Sequence, residues 1–442
     1  MNGFISFLEE KAMPVAGKIA AQRHIRALRD GLAITMPLII IGSIFMILAN
    51  FPIPGYVDFV NGIFGAGFTA KLLYPIRVTF DIVAMLAVIS ISYQLAKDKD
   101  VDGLSAGALS LAAFLILIPV QTVDVVLENG SKLSLGKILP TANLSAGGLI
   151  VAILTAFVAT EIFIFVVKKN WTVKMPESVP PAVAKSFTAI VPGLIIIIAF
   201  FLIRLGFEST SYQTVFAFIT KFVGSPLALV GLSFGGMFAT VSLYSFFWTL
   251  GIHGTRVVFG VMDSILLPAM DQNRAALEAG HQLPNIVTLQ FYDNFVNSVG
   301  GCGATIGLII CILLIAKSKQ NKAIGRLALA PAIFNISEPI IFGIPIVMNP
   351  IMMIPFILAP LAIGSITYIS MAMGLVSYPA GIAVPWTVPS FFSGFLATNG
   401  DWRAVILQGV NILVSAIIYW PFLKAWDNTL LQQEAENPEI EY

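Results

Sequence analysis

Long stretches without a single Asp, Glu, Lys or Arg dominate the chain. Residues 31–57, 103–123, 138–160, 186–203, 222–255, 295–316 and 404–423 are all of this kind, and 82–96 is a shorter one. Crossing the hydrocarbon core of a bilayer as a helix takes about 20 mostly apolar residues, so each long stretch predicts a spanning helix. The run 327–400 is the extreme case: its one charge is Glu338, and it has length for about three spans. The pattern predicts about five spans before Gly206 and about five after it.

The two parts differ in texture. Up to about Gly206 the apolar runs are regular. Beyond it, Gly231, Gly235, Gly236, Gly251, Gly254, Gly300, Gly301, Gly303, Pro339, Gly343, Pro345, Pro350, Pro379, Pro385 and Pro389 interrupt them. Broken backbone at membrane depth must be buried in protein or line a water-filled cavity, and in transporters such breaks mark the substrate site. Gly and Pro are also commoner in membrane helices generally; their density here favours a cavity. The chain therefore divides into 1–206, 207–428 and an acidic tail, 429–442.

Composition agrees and excludes several function classes. The chain is 57% hydrophobic and 11% charged, against about 25% charged residues in soluble domains. A net charge of +1 gives no electrostatic case for nucleic acid. Cys302 and Cys311 both lie in an apolar segment, and His24, His253 and His281 are far apart, so neither a disulfide framework nor metal-ligand spacing is present and no cofactor is implied. Residues 1–30 mix charges with scattered apolar residues and read as a basic amphipathic surface stretch or an ordinary solvated helix, not as a signal peptide. Basic segments at the N-terminus, 97–99, 168–174 with Lys185, and 317–326 mark the cytoplasmic side. They put both termini, and the acidic tail, in the cytoplasm.

Candidate chemistry centres on Glu338. A lone carboxylate deep in a membrane costs about 2.5–3.5 kcal/mol on insertion scales and usually faces a cavity where it acts. It stands in Asn335-Ile336-Ser337-Glu338-Pro339. Proline is favoured in the first turn of a helix, so Glu338 is expected at a helix start with Asn335 and Ser337 in an irregular turn before it. His253, between glycines in Gly251-Ile252-His253-Gly254-Thr255-Arg256, could exchange protons near neutral pH or be a satisfied structural residue. Trp248 and Trp386 offer flat apolar faces with one donor each, suited to a sugar ring, or belong to an interfacial belt. Gln290, Tyr292, Asp293, Asn294 and Asn297 form a polar cluster before another apolar run; they could bind hydroxyls or cap a helix.

Taken together, the 335–343, 248–254 and 292–295 segments resemble the membrane subunit, enzyme IIC, of the bacterial phosphotransferase system, in its lactose/cellobiose/diacetylchitobiose family. The resemblance covers essentially the whole chain, including Gln22-Arg23-His24. It implies an all-α polytopic fold of about ten transmembrane helices with re-entrant hairpins and surface amphipathic helices, in the bacterial cytoplasmic membrane. An N-terminal half would make a homodimer and a C-terminal half would hold the sugar. The implied function is uptake of a disaccharide whose 6-hydroxyl is presented for phosphorylation. The phosphoryl donor would be a phosphocysteine on a separate enzyme IIB, charged in turn by enzyme IIA. By position, Glu338 would bind the 6-hydroxyl and accept its proton, and His253 would hydrogen-bond beside it. Asn335 and Asn294 would be polar sugar ligands, and Trp248 and Trp386 would line the pocket. Neither cysteine fits the phosphocysteine, and the absence of a soluble domain after the last span points to a cellobiose- or diacetylchitobiose-type system. The chain is thus expected to be a transporter that forms part of a phosphorylating complex. The alternatives are a proton-coupled sugar symporter using Glu338, and a channel or scaffold.

Overall fold

The computed structural model describes residues 21–49, 55–126, 132–173, 186–344 and 349–436, together with positions 18, 175, 176, 179, 180, 346 and 347. Apart from Lys18, the amphipathic start before Ala21 lies outside them, as do Lys185 and the tail beyond Glu436. The chain divides into two compact units. One is built from Gln22–Gly42 with Tyr74–Ala228, the other chiefly from Leu229–Tyr442 with Ser43–Leu73.

The first unit is a helical bundle: α1 (Arg23–Ala49), α2 (Val83–Lys97), α3 (Gly103–Leu117), α4 (Leu149–Lys168) and α5 (Ile190–Glu208). Helix α2 packs on α3 and α4, and α3 packs on α5. Asp102 starts α3 by accepting the Ser105 N–H (3.0 Å), and Arg204 of α5 closes its other end by donating to the Ile116 and Ile118 carbonyls (2.8 and 3.3 Å), which the helix leaves unpaired. At Gly31 the backbones of α1 and α2 touch. A Cβ there would lie 2.6 Å from Ile91 Cγ1, and the Ser90 hydroxyl donates to the Gly31 carbonyl (2.8 Å). A small residue and a hydroxyl are what close helix packing without a hydrophobic drive uses. One feature departs from the all-α expectation: β1 (Gln121–Val126) and β2 (Lys132–Ile138) form an antiparallel hairpin. Thr122, Val123, Val125 and Val126 favour strand over helix because branching at Cβ stiffens the side chain.

The second unit contains α6 (Phe234–Thr249), α7 (Gly254–Glu278), α8 (Thr305–Ile315), α9 (Lys319–Ile333), α10 (Glu338–Gly343), α11 (Pro350–Ala372), α12 (Phe392–Ala397) and α13 (Trp402–Glu436). A π-helical turn, Tyr292–Val296, leads into a turn where Gly300, Gly301 and Gly303 all have positive φ. At Gly301 (φ 81°) nothing larger fits, since a Cβ would stand 2.9 Å from Ser337.

One face of α13 satisfies these breaks. Gln408 accepts from the Phe391 and Gly394 N–H groups (2.6 and 3.2 Å) and donates to the Asn294 carbonyl (2.5 Å), Ser298 (3.1 Å) and Ser393 (2.9 Å). Asn411 donates to the Phe295 carbonyl and Thr367, Ser415 to the Ala304 carbonyl (2.6 Å), and Tyr419 to the Gly303 carbonyl (2.7 Å). Further along, Asp427 accepts from the Lys317 and Ser318 N–H groups, the Ser318 hydroxyl and Asn321. All five are buried. Buried backbone groups outside regular structure need such partners.

Among the described residues, five helices are long and apolar enough to cross a membrane: Phe68–Lys97, Ala146–Lys168, Ser186–Glu208, Pro350–Ala372 and Trp402–Glu436. Val215–Gly231 and Phe234–Thr249 add a sixth if counted as one interrupted span, and Gly103–Leu117 and Thr305–Ile315 are shorter apolar helices. The run 327–400 holds one helix of spanning length, α11. Its remainder holds the end of α9, the short α10 and α12, and irregular chain, the stretch after α11 because Pro379, Pro385 and Pro389 lack N–H groups and disfavour helix in the residue before them.

Candidate functional site

Several of these breaks converge on one cavity within the second unit. It encloses about 380 Å³, inside the roughly 300–1,000 Å³ range of small-molecule sites. Its walls come from the end of α6, the start of α7, the π-helical and glycine turns, the 335–338 segment and the 386 loop.

Glu338 opens α10, with Pro339 in the first turn. Its side chain is 46% exposed and lines the cavity, which relieves the cost of a charge held among apolar chain. His253 Nε2 lies 3.9 Å from Glu338 Oε1, within ion-pair range but beyond a hydrogen bond. The other ring nitrogen has a structural task. Nδ1 caps α7 by accepting the Arg256 N–H (3.4 Å) and lies 3.1 Å from the Thr255 hydroxyl. A neutral ring accepting at Nδ1 carries its proton on Nε2, the atom turned to Glu338. The glycines beside His253 permit this loop: Gly251 has φ 77°, and a Cβ on Gly254 would collide with the Tyr244 backbone.

Two indoles border these polar groups in different ways. Trp248 is buried, with its ring centroid 4.4 Å from that of His253; it fixes the imidazole and closes one wall. Trp386 is 49% exposed and lines the cavity. Asn335 adopts the left-handed region (φ 62°), which Asn tolerates better than most residues. Its amide ties three segments together, donating to the Trp386 and Val388 carbonyls (2.7 and 3.0 Å) and accepting the Gly300 N–H (3.2 Å).

The cavity thus unites Glu338, His253, Asn335, Trp248 and Trp386. Asn294 is buried behind the wall rather than in it: its amide donates to the Val384 carbonyl (3.4 Å). Its neighbours Asp293 and Asn297 line the cavity instead, because the π-helical turn rotates successive side chains differently from a regular helix. Asn297 accepts from the Tyr244 hydroxyl (3.2 Å). Thr255, Arg256, Gly301, Cys302 and Ser337 also line it. Of these, Arg256 carried a signal in the sequence, as the first charge after the uncharged run 222–255. Among the described residues no group of three His, Cys, Asp or Glu side chains is placed to hold a metal ion.

A cavity that sets charged and polar side chains among apolar walls of interrupted helices, in a chain with several helices of spanning length, is the build of a multi-pass membrane permease. Comparison with known proteins narrows the class. The sequence model of the family described as phosphotransferase system, EIIC matches residues 29–360, and the chain belongs to that family. It is 47% identical to the lichenan permease IIC component of Bacillus subtilis (strain 168), over 98% of this chain and 96% of that one. It is 43% identical to the cellobiose-specific EIIC component of Geobacillus stearothermophilus, over 100% of this chain and 98% of that one. The crystal structure of the transporter ChbC, the IIC component of an N,N'-diacetylchitobiose-specific phosphotransferase system, superposes with a TM-score of 0.93 at 45% identity, covering 97% of this chain and 99% of that one.

Proposed function

We propose that this permease binds a disaccharide of the cellobiose or N,N'-diacetylchitobiose type, carries it inward, and presents its 6-hydroxyl to phosphorylated enzyme IIB. The observation that carries the reading is the pairing of Glu338 with His253 across 3.9 Å inside the cavity. That separation is close to what one hydroxyl needs to accept from Nε2–H and donate to the carboxylate with bonds of about 2.8 Å. Sugar 6-OH, so held, has its proton on Glu338's side. As the oxygen attacks phosphorus, Glu338 takes the proton and the IIB thiolate leaves; positioning supplies most of the catalysis. Trp248 and Trp386 present apolar surface to the sugar rings. Asn335, its amide spent on the loops, offers the remaining lone pair of Oδ1, and Asn294 supports the same surface from behind. The names of the relatives, with cellobiose and diacetylchitobiose among them, support the substrate class. Family membership removes the support for a symporter.

The finer architecture belongs to the same reading: about ten spans, a homodimer formed by 1–206, sugar binding by 207–428, and a cytoplasmic tail at 429–442. Both termini are cytoplasmic, beside IIB and IIA, because the basic segments cluster between the spans on that side.

Equilibrium binding of labelled cellobiose, lactose and diacetylchitobiose to the purified protein tests the assignment. Glu338→Gln is expected to weaken binding of the preferred sugar at least about tenfold, close to 1.4 kcal/mol. Unchanged affinity would remove Glu338 from the sugar site.

A further inference from the structure

Among the described residues lining the cavity, Arg256 supplies the one permanent cation. Two carboxylates, Asp293 and Glu338, share its walls, yet neither comes within the 4.0 Å of an ion pair with Arg256, and its guanidinium makes no hydrogen bond among the described residues. Several other arginines of the chain are paired with carboxylates. Arg23 reaches Glu161 at 2.6 Å, Arg26 reaches Asp98 at 2.7 Å, Arg204 reaches Glu208 at 2.8 Å and Arg274 reaches Asp271 at 2.8 Å. Arg256 is exposed, and a guanidinium left open at the wall of this cavity is an electrostatic asset for an anion that arrives from outside.

A neutral disaccharide brings no such anion. The phosphoryl group does, with a charge of about −1.5 to −2 at neutral pH. We infer that Arg256 forms the phosphoryl subsite of this cavity, donating to the non-bridging oxygens of the phosphate as it passes to the sugar. The inference rests on the proposed function above. In the step itself the S–P bond of the IIB phosphocysteine breaks and the O6–P bond forms. The O6 proton moves to Glu338, and the electron pair of the broken bond leaves with the cysteine thiolate. Charge on the three equatorial oxygens has to be met by the protein, and a planar guanidinium fork suits two of them at once.

Placement supports the role. Arg256 sits three residues after His253, in the first turn of α7, and its own N–H is the one that His253 Nδ1 accepts. The ring that addresses the 6-hydroxyl and the guanidinium that would meet the phosphorus substituents therefore ride on one rigid turn. The turn fixes the backbone that carries both groups, so the exposed guanidinium is tethered within reach of the same oxygen and can close on an arriving phosphoryl group. Asp293 and Glu338 keep the cavity from being cationic overall, so the empty site does not become a general anion trap.

The test compares three measurements on wild type, Arg256→Gln and Arg256→Lys: binding of cellobiose, binding of its 6-phosphate ester, and single-turnover transfer from phospho-IIB to cellobiose. Arg256→Gln is expected to bind cellobiose within about twofold of wild type, to bind the ester at least about tenfold more weakly, and to slow transfer at least about 100-fold. Arg256→Lys should recover part of both losses, and retained cellobiose binding shows that each variant is folded. Ester binding and transfer at wild-type levels in Arg256→Gln would overturn the assignment. So would an equal loss of cellobiose and ester binding, which would make Arg256 a sugar ligand. A wild type that binds cellobiose but receives no phosphoryl group from phospho-IIB would instead overturn the proposed function, and this inference with it.

Discussion

Glu338 was legible because it breaks a rule: an apolar run of this length has no structural use for one carboxylate. His253 was half legible. Its flanking glycines marked a tight turn, but its double task, capping α7 through Nδ1 while facing Glu338 through Nε2, needs coordinates. Replacing it separates the two roles. His253→Asn keeps a side-chain oxygen for the cap but removes the Nε2 donor, and is expected to retain the fold while losing about tenfold in sugar affinity. His253→Ala should lose both, showing a lower melting temperature in detergent as well as weak binding. Asn335 illustrates the opposite limit. Nothing in the sequence shows that its amide joins the Trp386, Val388 and Gly300 backbones, since all three partners are remote or unremarkable in the chain. Asn335→Ala strands two carbonyls and an N–H, each costing about 1–3 kcal/mol when left unmet. Thermal unfolding should report a marked loss of stability, with sugar binding falling in parallel as the Trp386 loop loosens.

At the scale of elements, α13 does most to shape the site without touching it. The spacing of Gln408, Asn411, Ser415 and Tyr419 is a helical one, three and four residues apart, so the polar stripe could be read on an otherwise apolar helix. What it faced could not, because the partners are carbonyls and N–H groups of the irregular turns. Those turns were foreseeable as breaks from their glycines and prolines, though not as a π-helical turn that puts Asp293 and Asn297 in the cavity and Asn294 behind it. Gln408→Leu is expected to unfold the protein at a temperature several degrees lower, while Gln408→Glu, which keeps the acceptor for Phe391 and Gly394 but loses the donor, should fall between. A second clamp sits just before α13. Burial raises the Asp401 carboxyl, but hydrogen bonds from Arg403 and Ser377 outweigh it and hold the group at about 2. A depressed carboxylate stabilises above its unfolded value near 3.9 and loses that contribution as pH falls toward 2. The clamp should therefore contribute fully from pH 8 down to about 4, and the protection of amides around Ser377 relative to their intrinsic exchange rate at each pH should fall only below that.

For the whole molecule, uncharged runs gave the membrane address, whereas the number of spans was harder to read. Hydropathy counts length, and the 327–400 run spends much of its length on broken chain around a cavity. Orientation can be tested directly. In a background with Cys302 and Cys311 replaced, a cysteine at Lys169 is expected to react with an impermeant maleimide only after permeabilisation, and one at Gly136, in the hairpin, in intact cells. The reverse pattern would invert the topology. The face of α13 has a consequence at this scale too. Its contacts are mostly with main-chain atoms, which are the same whatever residue carries them. A frame that grips loops by their backbone leaves the side chains on the far side of those loops free to change, so the cavity wall can be rebuilt by substitution while the scaffold that shapes it stays as it is.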